Sequence, residues 1–279
     1  MIEAKILCDS VNPQGKRITT FQCTFNRWIL AEQNTHRALS KNTASSRAIP
    51  LKRMIDAILK DTAFPVSYGK NMKGMSAAEE LPTEDIKRVN ELILKMRDFS
   101  IGCVREMETI GLHKQVANRY LEPFSHTTSL VTGTEWSNFF NLRVSKKAQP
   151  EFKELATKML IAYRDNQPKA LKIGEWHLPF SDKFMQDGLP LEDCIKVSIA
   201  RCARVSYLTH DGKIEIEKDF ELYNNLLTDG HMSPFEHVAE CADNCDSYGN
   251  FKGWKQYRKG LPNENRDYLD PDGLLKGLA

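Results

Sequence analysis

The sequence lacks most of the features that assign a chain to a class at once. No apolar run approaches the roughly 18–20 residues that a membrane helix needs. No CxxC pair is present, and neither are GxGxxG, GxxxxGK followed by Ser or Thr, or GxSxG. These absences leave out paired-thiol redox and zinc-ribbon chemistry, the dinucleotide-binding and phosphate-loop folds, and the nucleophile elbow of serine hydrolases. Charge of one sign is missing too: 39 Lys and Arg against 37 Asp and Glu leave +2, where a dedicated nucleic-acid binder carries a basic excess. There is no Pro/Ser-rich linker, low-complexity tract or internal repeat. The seven cysteines are odd in number and scattered, which fits reduced thiols rather than a disulfide scaffold. The opening MIEAKILCDS has no basic stretch followed by an apolar one, so no leader is expected and a cytoplasmic location is (host cytoplasm if the source is viral).

What is present is an ordinary globular mixture: 279 residues, 41% hydrophobic and 27% charged, enough for a sizeable core. Near-alternation of Ile18, Phe21, Cys23 and Phe25 predicts a strand over 17–25. Residues 26–42 read as helical, with Trp28, Ile29 and Leu39 on the apolar side. Short helices follow at Leu51–Leu59, near Glu135–Leu142 and over Glu151–Tyr163, with a Gly/Lys loop at Phe64–Met75. The clearest helix opens at Pro82-Thr83, carries Ile86, Val89, Ile93, Met96, Cys103, Met107 and Ile110, and stops at Gly111. A helix of that length suits a core or an interface between subunits. Pro168–Pro190 reads as loop, Cys194–Tyr207 as a buried strand or helix, and Asp219–Asp229 as a helix stopped by Gly230. The last thirty residues read as mostly irregular. One intimately packed α+β domain is expected, with a mixed or antiparallel sheet against long helices.

Three clusters carry chemistry. Between Gln33 and Ile55 there is no Asp or Glu, while His36, Arg37, Lys41, Arg47, Lys52 and Arg53 stand among Ser40, Thr43, Ser45 and Ser46. Such donors suit a phosphate or carboxylate, and equally make a solvated basic face. On a helix, His36 with Ser40 and Arg37 with Lys41 share faces. In the second cluster, Arg119, Asn138, Arg143 and Gln149, the apolar run Phe139, Phe140, Leu142 predicts a buried stem for Arg143. Its head either stabilises an anion on a bound heterocycle or pairs with Glu135 or Glu151. In the third, GHMSPFEHVAECADNC, zinc is disfavoured. On a helix His237 and Cys245 lie about 12 Å apart, so a metal requires bent backbone and no metal is expected. His177 and Trp254 are further candidates for lining a planar-ligand pocket, with Trp254 stacking on a ring as the tail caps the site.

THRALSKNTASSR (Thr35–Arg47) resembles the signature of flavin-dependent thymidylate synthases, RHRxxSxNExSxR, matching at His36, Arg37, Ser40, Asn42, Ser45 and Arg47. NRYLEPF and FFNLRVSKKAQPE look like the family's later Arg and its LRxxxxAQxE segment. CARVSY (Cys202–Tyr207) and GHMSPFEH (Gly230–His237) also look like family segments, which conventionally precede the signature. The motif order therefore looks circularly permuted, as in long phage-type relatives. A signature half lies at about 17–165, a second half at about 191–245 and an irregular extension at 246–279, all within one catalytic domain, 1–279. Thr35 stands in place of the family's first Arg and Thr43 in place of its Glu.

The resemblance implies a homotetramer with active sites shared between subunits. It also implies bound FAD, with dUMP, NADPH and 5,10-methylenetetrahydrofolate as small-molecule substrates and dTMP as product. No nucleic acid or membrane partner is implied. Carried over by position, Arg143 is catalytic and activates the uracil. Glu32, Ser45, Ser46, Arg47 and Arg119 join it in binding dUMP, and His36, Arg37, Ala38, Ser40, Asn42, Asn138 and His237 contact the flavin. The departures at Thr35 and Thr43 admit two alternatives: a related enzyme that modifies C5 of a pyrimidine nucleotide differently, such as a dUMP hydroxymethylase, and a non-catalytic nucleotide-binding relative.

Overall fold

The computed structural model describes residues 1–74, 77, 79–180, 188–207, 215–262 and 264, with the side chains of residues 206 and 207 outside the description. Parts of the expected 168–190 loop and of the tail, including Pro271 and Gly273, therefore lie outside the described residues. Strands β1 (Glu3–Val11) and β2 (Arg17–Asn26) form an antiparallel pair with a bulge between Ile6 and Cys8. Helix α1 (Leu30–Asn34) leads to β3 (Ser40–Thr43), and α2 (Leu51–Lys60), α3 (Thr83–Thr109) and α4 (Lys114–Ala117) follow. A 3-10 stretch, Asn118–Phe124, enters β4 (His126–Gly133), before α5 (Ser137–Arg143), α6 (Pro150–Asp165), β5 (Lys169–Ala170) and β6 (Trp176–His177). The second half comprises α7 (Leu191–Tyr207), α8 (Ile216–Asp229), the 3-10 turn Ser233–His237 and β7 (Ala239–Cys241). Strands β8 (Ser247–Tyr248), β9 (Phe251–Lys252) and β10 (Trp254–Gln256) close the described chain.

The main sheet has the order β3-β4-β2-β1-β5; its pairs are antiparallel except β1 with β5, which is the mixed sheet of an α+β fold. Alternation decides what each face meets. Phe21, Cys23 and Phe25 point to α5 and α6, packing with Val131, Trp136, Phe139, Phe152, Leu155 and Met159. Neighbouring positions point the other way, where Leu130 meets Cys202 and Val205 of α7, and Ile18 meets Ala239, Cys241, Phe251 and Trp254. The sheet is thus the wall between the two halves. Inside the second half Asp219, buried on α8, receives Arg201 at 2.9 Å and Arg204 at 2.6 Å from α7. Among the described residues no helix is long and apolar enough to cross a membrane.

Three expectations change. Residues 26–42 are helical only over Leu30–Asn34, after a 3-10 turn at Arg27–Ile29 that buries Ile29 and leaves Trp28 partly in solvent. The Thr35 hydroxyl donates to the Glu32 carbonyl at 2.7 Å and ends the helix, and Ser40–Thr43 finds ladder partners on β4 instead. Helix α3 forms as expected but buries Ile101 and Val104, with Ile93 and Met107 beside them, against α2 and Leu121. Leu92, Met96, Phe99 and Ile110 face outward, Phe99 at 75% and Ile110 at 78% exposure, because the apolar positions belong to two faces rather than one. The tail is structured through residue 260, since β10 pairs with β7. Gly253 permits this with φ 73° and a backbone so close to Asn12 that a Cβ would sit 2.7 Å from Nδ2.

Candidate active site

The signature segment is a turn followed by a strand, so its side chains separate differently from those of a helix. Ser40 and Asn42 face inward, and Lys41 and Thr43 face the other way. His36 does not share a face with Ser40; it meets Arg143, brought over by the last turn of α5. Arg143 Nε donates to His36 Nε2 at 2.7 Å, its Nη2 reaches the Thr35 hydroxyl at 3.4 Å, and its guanidinium lies 4.4 Å over the Phe152 ring. The His36 ring stands edge-on to Phe139 and Phe152. Burial, then the charges of Arg143 and Lys41, hold His36 down to about 4, so it is neutral and accepts the arginine N–H. Lys41 donates to the His36 carbonyl and is itself lowered to about 8 by burial, which Glu236 opposes.

The ion-pair alternative for Arg143 does not occur among the described residues. Glu151 accepts from the Val66 backbone at 2.9 Å and from Gln149 at 3.0 Å, and Glu135 pairs with Lys16 and Lys252. Burial lowers the Arg143 guanidinium from its ordinary value while Glu32 opposes this, and the Glu32 Oε2 atom is buried without a hydrogen-bond partner among the described residues.

The expected grouping of Arg119 with Arg143 is not found. Arg119 lies on the 3-10 stretch and binds Glu122 at 2.8 Å; the same carboxylate oxygen takes Arg27 at 3.1 Å and the Ser46 hydroxyl at 2.5 Å. Asn118 secures the segment from below by donating to the Ser46 and Ile49 carbonyls at 2.7 and 2.9 Å. Beside Ser46 opens a cavity of 340 Å³ lined by Arg27, Arg53, Lys60 and His126, and by neither Arg143 nor His36. Glu122 is the acceptor that stops two guanidinium groups from repelling each other. Glu122→Gln is therefore expected to cost about 2 kcal/mol, because Arg27, with 11% of its side chain exposed, loses its counter-charge. A urea midpoint unchanged from wild type would show that Arg27 is compensated elsewhere.

A third group lies on the sheet face toward the second half. Cys8, Thr20, Thr132 and Ser40 oppose one another across β1, β2, β4 and β3, a polar row over four strands. Side chains of the second half meet this row. His177 Nε2 lies 2.9 Å from Thr20 Oγ1, and His237 Nδ1 lies 2.7 Å from Thr132 Oγ1. Asn250 and Gln256 reach Ser40 at 3.0 and 3.2 Å, and Asn42 donates to the Cys202 carbonyl at 2.7 Å. The segment carrying His237, Cys241 and Cys245 is bent rather than helical, and among the described residues no three His, Cys, Asp or Glu side chains are placed to share a metal. His177 and Trp254 are fully buried, and the indole N–H donates to the Lys16 carbonyl at 3.1 Å. Trp254 is core; its faces are not open to a ring.

The remaining expected site residues stand apart. Arg37, Ala38, Arg47 and Asn138 are exposed, and none of these side chains makes a hydrogen bond or ion pair with the described residues; Ser45 is half-buried. Sequence reasoning missed Glu122 and Arg27, and placed Lys41 with Arg37 rather than with His36. The only signal for Glu122 was its place three residues after Arg119, an ion-pair spacing. Thr20 and Thr132 gave no signal, since they read as ordinary strand residues.

No curated protein matches the chain. Among solved structures it is similar to a UMP/dUMP methylase, PolB, from Streptomyces cacaoi, bound with 5-Br UMP; the TM-score is 0.50 at 13% identity, over 58% of this chain and 88% of that one. That likeness concerns the fold. Residues 17–169, more than half of the chain, match the family model described as thymidylate synthase complementing protein. The match takes in the turn with His36, the Glu122 hub and Arg143, and on it the chain belongs to the thymidylate synthase complementing protein family.

Proposed function

We propose that the protein is a flavin-dependent thymidylate synthase that acts in the cytoplasm. It converts dUMP to dTMP with 5,10-methylenetetrahydrofolate as carbon donor and NADPH-reduced FAD as hydride source. The observation that carries this is Arg143: its charge is held in place by neutral His36 and by Phe152, and no carboxylate among the described residues pairs with it. A guanidinium so placed stabilises the negative charge that develops on an ionised uracil. Glu32, with a buried and unpartnered carboxylate oxygen, is the matching acceptor for a pyrimidine N–H. Ser45, Arg47 and Arg119 supply hydroxyl and guanidinium donors to the nucleotide phosphate, and Ser46, buried with its hydroxyl donated to Glu122, holds their segment in place.

The residues present fit a flavin. His237 brings a buried ring nitrogen, Nε2, that has no partner among the described residues, Ser40 and Asn42 are buried on the same sheet face, and His36, Arg37, Ala38 and Asn138 join them by their positions in the family's motifs. FAD, when bound, would supply the hydride.

Arg143 and Ser46 belong to separate groups within one chain, which supports a homotetramer whose sites are completed between copies. The outward stripe Leu92, Met96, Phe99 and Ile110 on α3 is the apolar face that such an assembly would cover. The segments 202–207 and 230–237 pack on the sheet although they follow the signature, which supports a permuted order within one domain.

One observation favours a second reading. The Thr43 hydroxyl is paired with Ser129 at 2.8 Å where the family has a carboxylate. That change suits a related enzyme that places another group at C5, such as hydroxymethyl. The test is an absorbance spectrum of protein loaded with FAD and desalted, before and after dUMP, followed by the mass of the product. A retained flavin band that shifts with dUMP, with dTMP formed, is the expected result. Hydroxymethyl-dUMP as product selects the second reading, and loss of flavin on desalting sinks both in favour of a binding protein.

A further inference from the structure

Ser10 lies on β1, three strands along the sheet from the signature strand β3 and on the same face as Ser40, and it connects to His237 through an unbroken chain of buried hydrogen bonds. Ser10 Oγ lies 3.0 Å from His177 Nδ1, His177 Nε2 is 2.9 Å from Thr20 Oγ1, Thr20 is 2.7 Å from Thr132, and Thr132 is 2.7 Å from His237 Nδ1. Ser10 is 2% exposed and the other four are 0% exposed. The chain ends at His237 Nε2, buried and without a partner among the described residues.

Both rings are neutral: burial lowers His237 to about 3, and burial, with His237 nearby as the smaller cause, lowers His177 to about 3. Each neutral ring has one N–H and one lone pair, and each hydroxyl has one proton, so the whole chain points one way or the other. In one sense Ser10 donates to His177 Nδ1, His177 Nε2–H donates to Thr20, Thr20 to Thr132, and Thr132 to His237 Nδ1. Every hydroxyl proton is then used, and His237 carries its own proton on Nε2. In the opposite sense His237 Nδ1–H starts the chain and His177 Nδ1–H donates to Ser10. The buried Ser10 hydroxyl proton then has no acceptor, since the ring is its only hydrogen-bond partner among the described residues. The Cys8 thiol, 3.4 Å from the same nitrogen, is a second donor converging on it.

We propose that Ser10, His177, Thr20 and Thr132 form a relay of fixed polarity that holds His237 as its Nε2–H tautomer. His237 thereby presents an N–H donor to an acceptor atom on a bound heteroaromatic ring. His177, Thr20 and Ser10 are positioning residues in this arrangement, acting through Thr132. Identifying that ring with the flavin rests on the function proposed above; the polarity of the relay does not.

The experiment uses the full chain labelled with 15N-histidine, without flavin, at neutral pH, read by two-bond proton–nitrogen correlation. His237→Gln and His177→Gln assign the two signals. The expected wild-type pattern has both rings protonated at Nε2. Thr20→Val leaves Thr132 free to turn either way, and Ser10→Ala removes the stranded proton that disfavours the opposite sense. Each is expected to relax a tautomer preference of roughly tenfold or more toward a mixture at His237, and Thr20→Ser is expected to restore it. The proposal is overturned if wild-type His237 is protonated at Nδ1. It is equally overturned if the His237 pattern is the same in Thr20→Val and Ser10→Ala as in wild type. If the pattern is as expected but protein loaded with FAD loses it on desalting, the relay stands and the flavin reading alone falls.

Discussion

On the function proposed above, Arg143→Ala is expected to lower kcat for dUMP by about 10²–10³-fold or more while flavin stays bound. The guanidinium makes no ion pair with the described residues, and alanine removes it without opening the core, since the α6 face beneath is made by Phe152, Leu155 and Met159. Arg143→Lys separates charge from geometry. The ammonium keeps the charge but gives up the planar fork that spans His36 and Thr35, so it is expected to recover only part of the rate. Steady-state turnover and the flavin-to-protein ratio measured on the same preparations check both. If Arg143→Ala turned over within a few-fold of wild type, the role given to this arginine would be wrong.

Acid is expected to weaken the fold from about pH 6.5 downward, before most carboxylates protonate. His177 and His237 are held at about 3, and His36 at about 4, against an ordinary value near 6.5, with burial as the leading cause in each. The unfolded chain takes up protons on these rings as pH falls below about 6.5, and the folded chain does not until about 3 to 4. Stability is therefore full above 6.5 and is lost progressively as pH falls through that window. His177 and His237 each remove about 3 kcal/mol by pH 4, a large share of the 5–15 kcal/mol typical of a domain. Lys41, lowered to about 8, acts at the other end: between about 8 and 10.5 the unfolded chain keeps its proton and the folded chain does not, so stability rises with pH there. Urea midpoints from pH 4 to 10 test this, and a midpoint at pH 4.5 equal to that at pH 7 would refute the claim that both histidines are held neutral.

The order of elements was largely legible in the sequence because the helices α2, α6 and α8 and the strand β2 each carry a strong local period. Gly230 stops α8 in the left-handed conformation, as its position suggested. Residues 35–42 were misread because the competing partner of Ser40–Thr43, β4, lies about ninety residues away, and helix periodicity cannot see a ladder bond. The two faces of α3 were merged for a related reason: spacing counts apolar residues but does not say which of them find a neighbour. Within the candidate site, the Arg143–His36 pair was visible only as two family motifs, and their contact comes from α5 folding over the turn. Glu122 and the threonines of the relay were illegible because their meaning lies in three-dimensional convergence, not in spacing.

The polar row across β1, β2, β4 and β3 bears on the order in which the chain folds. Its partners come from residues 177, 237, 250 and 256, so most of its hydrogen bonds close loops of more than a hundred residues. The span that matches the family model, 17–169, makes β2, β3 and β4 of the main sheet, but alone it would leave Thr20, Thr132 and Ser40 without those side chains and Ile18 and Leu130 facing water. The segment that carries the family likeness is thus an incomplete folding unit. It gains a finished surface only when the second half docks, and synthesis from the N-terminus leaves that half-built wall open until residue 256 has been made.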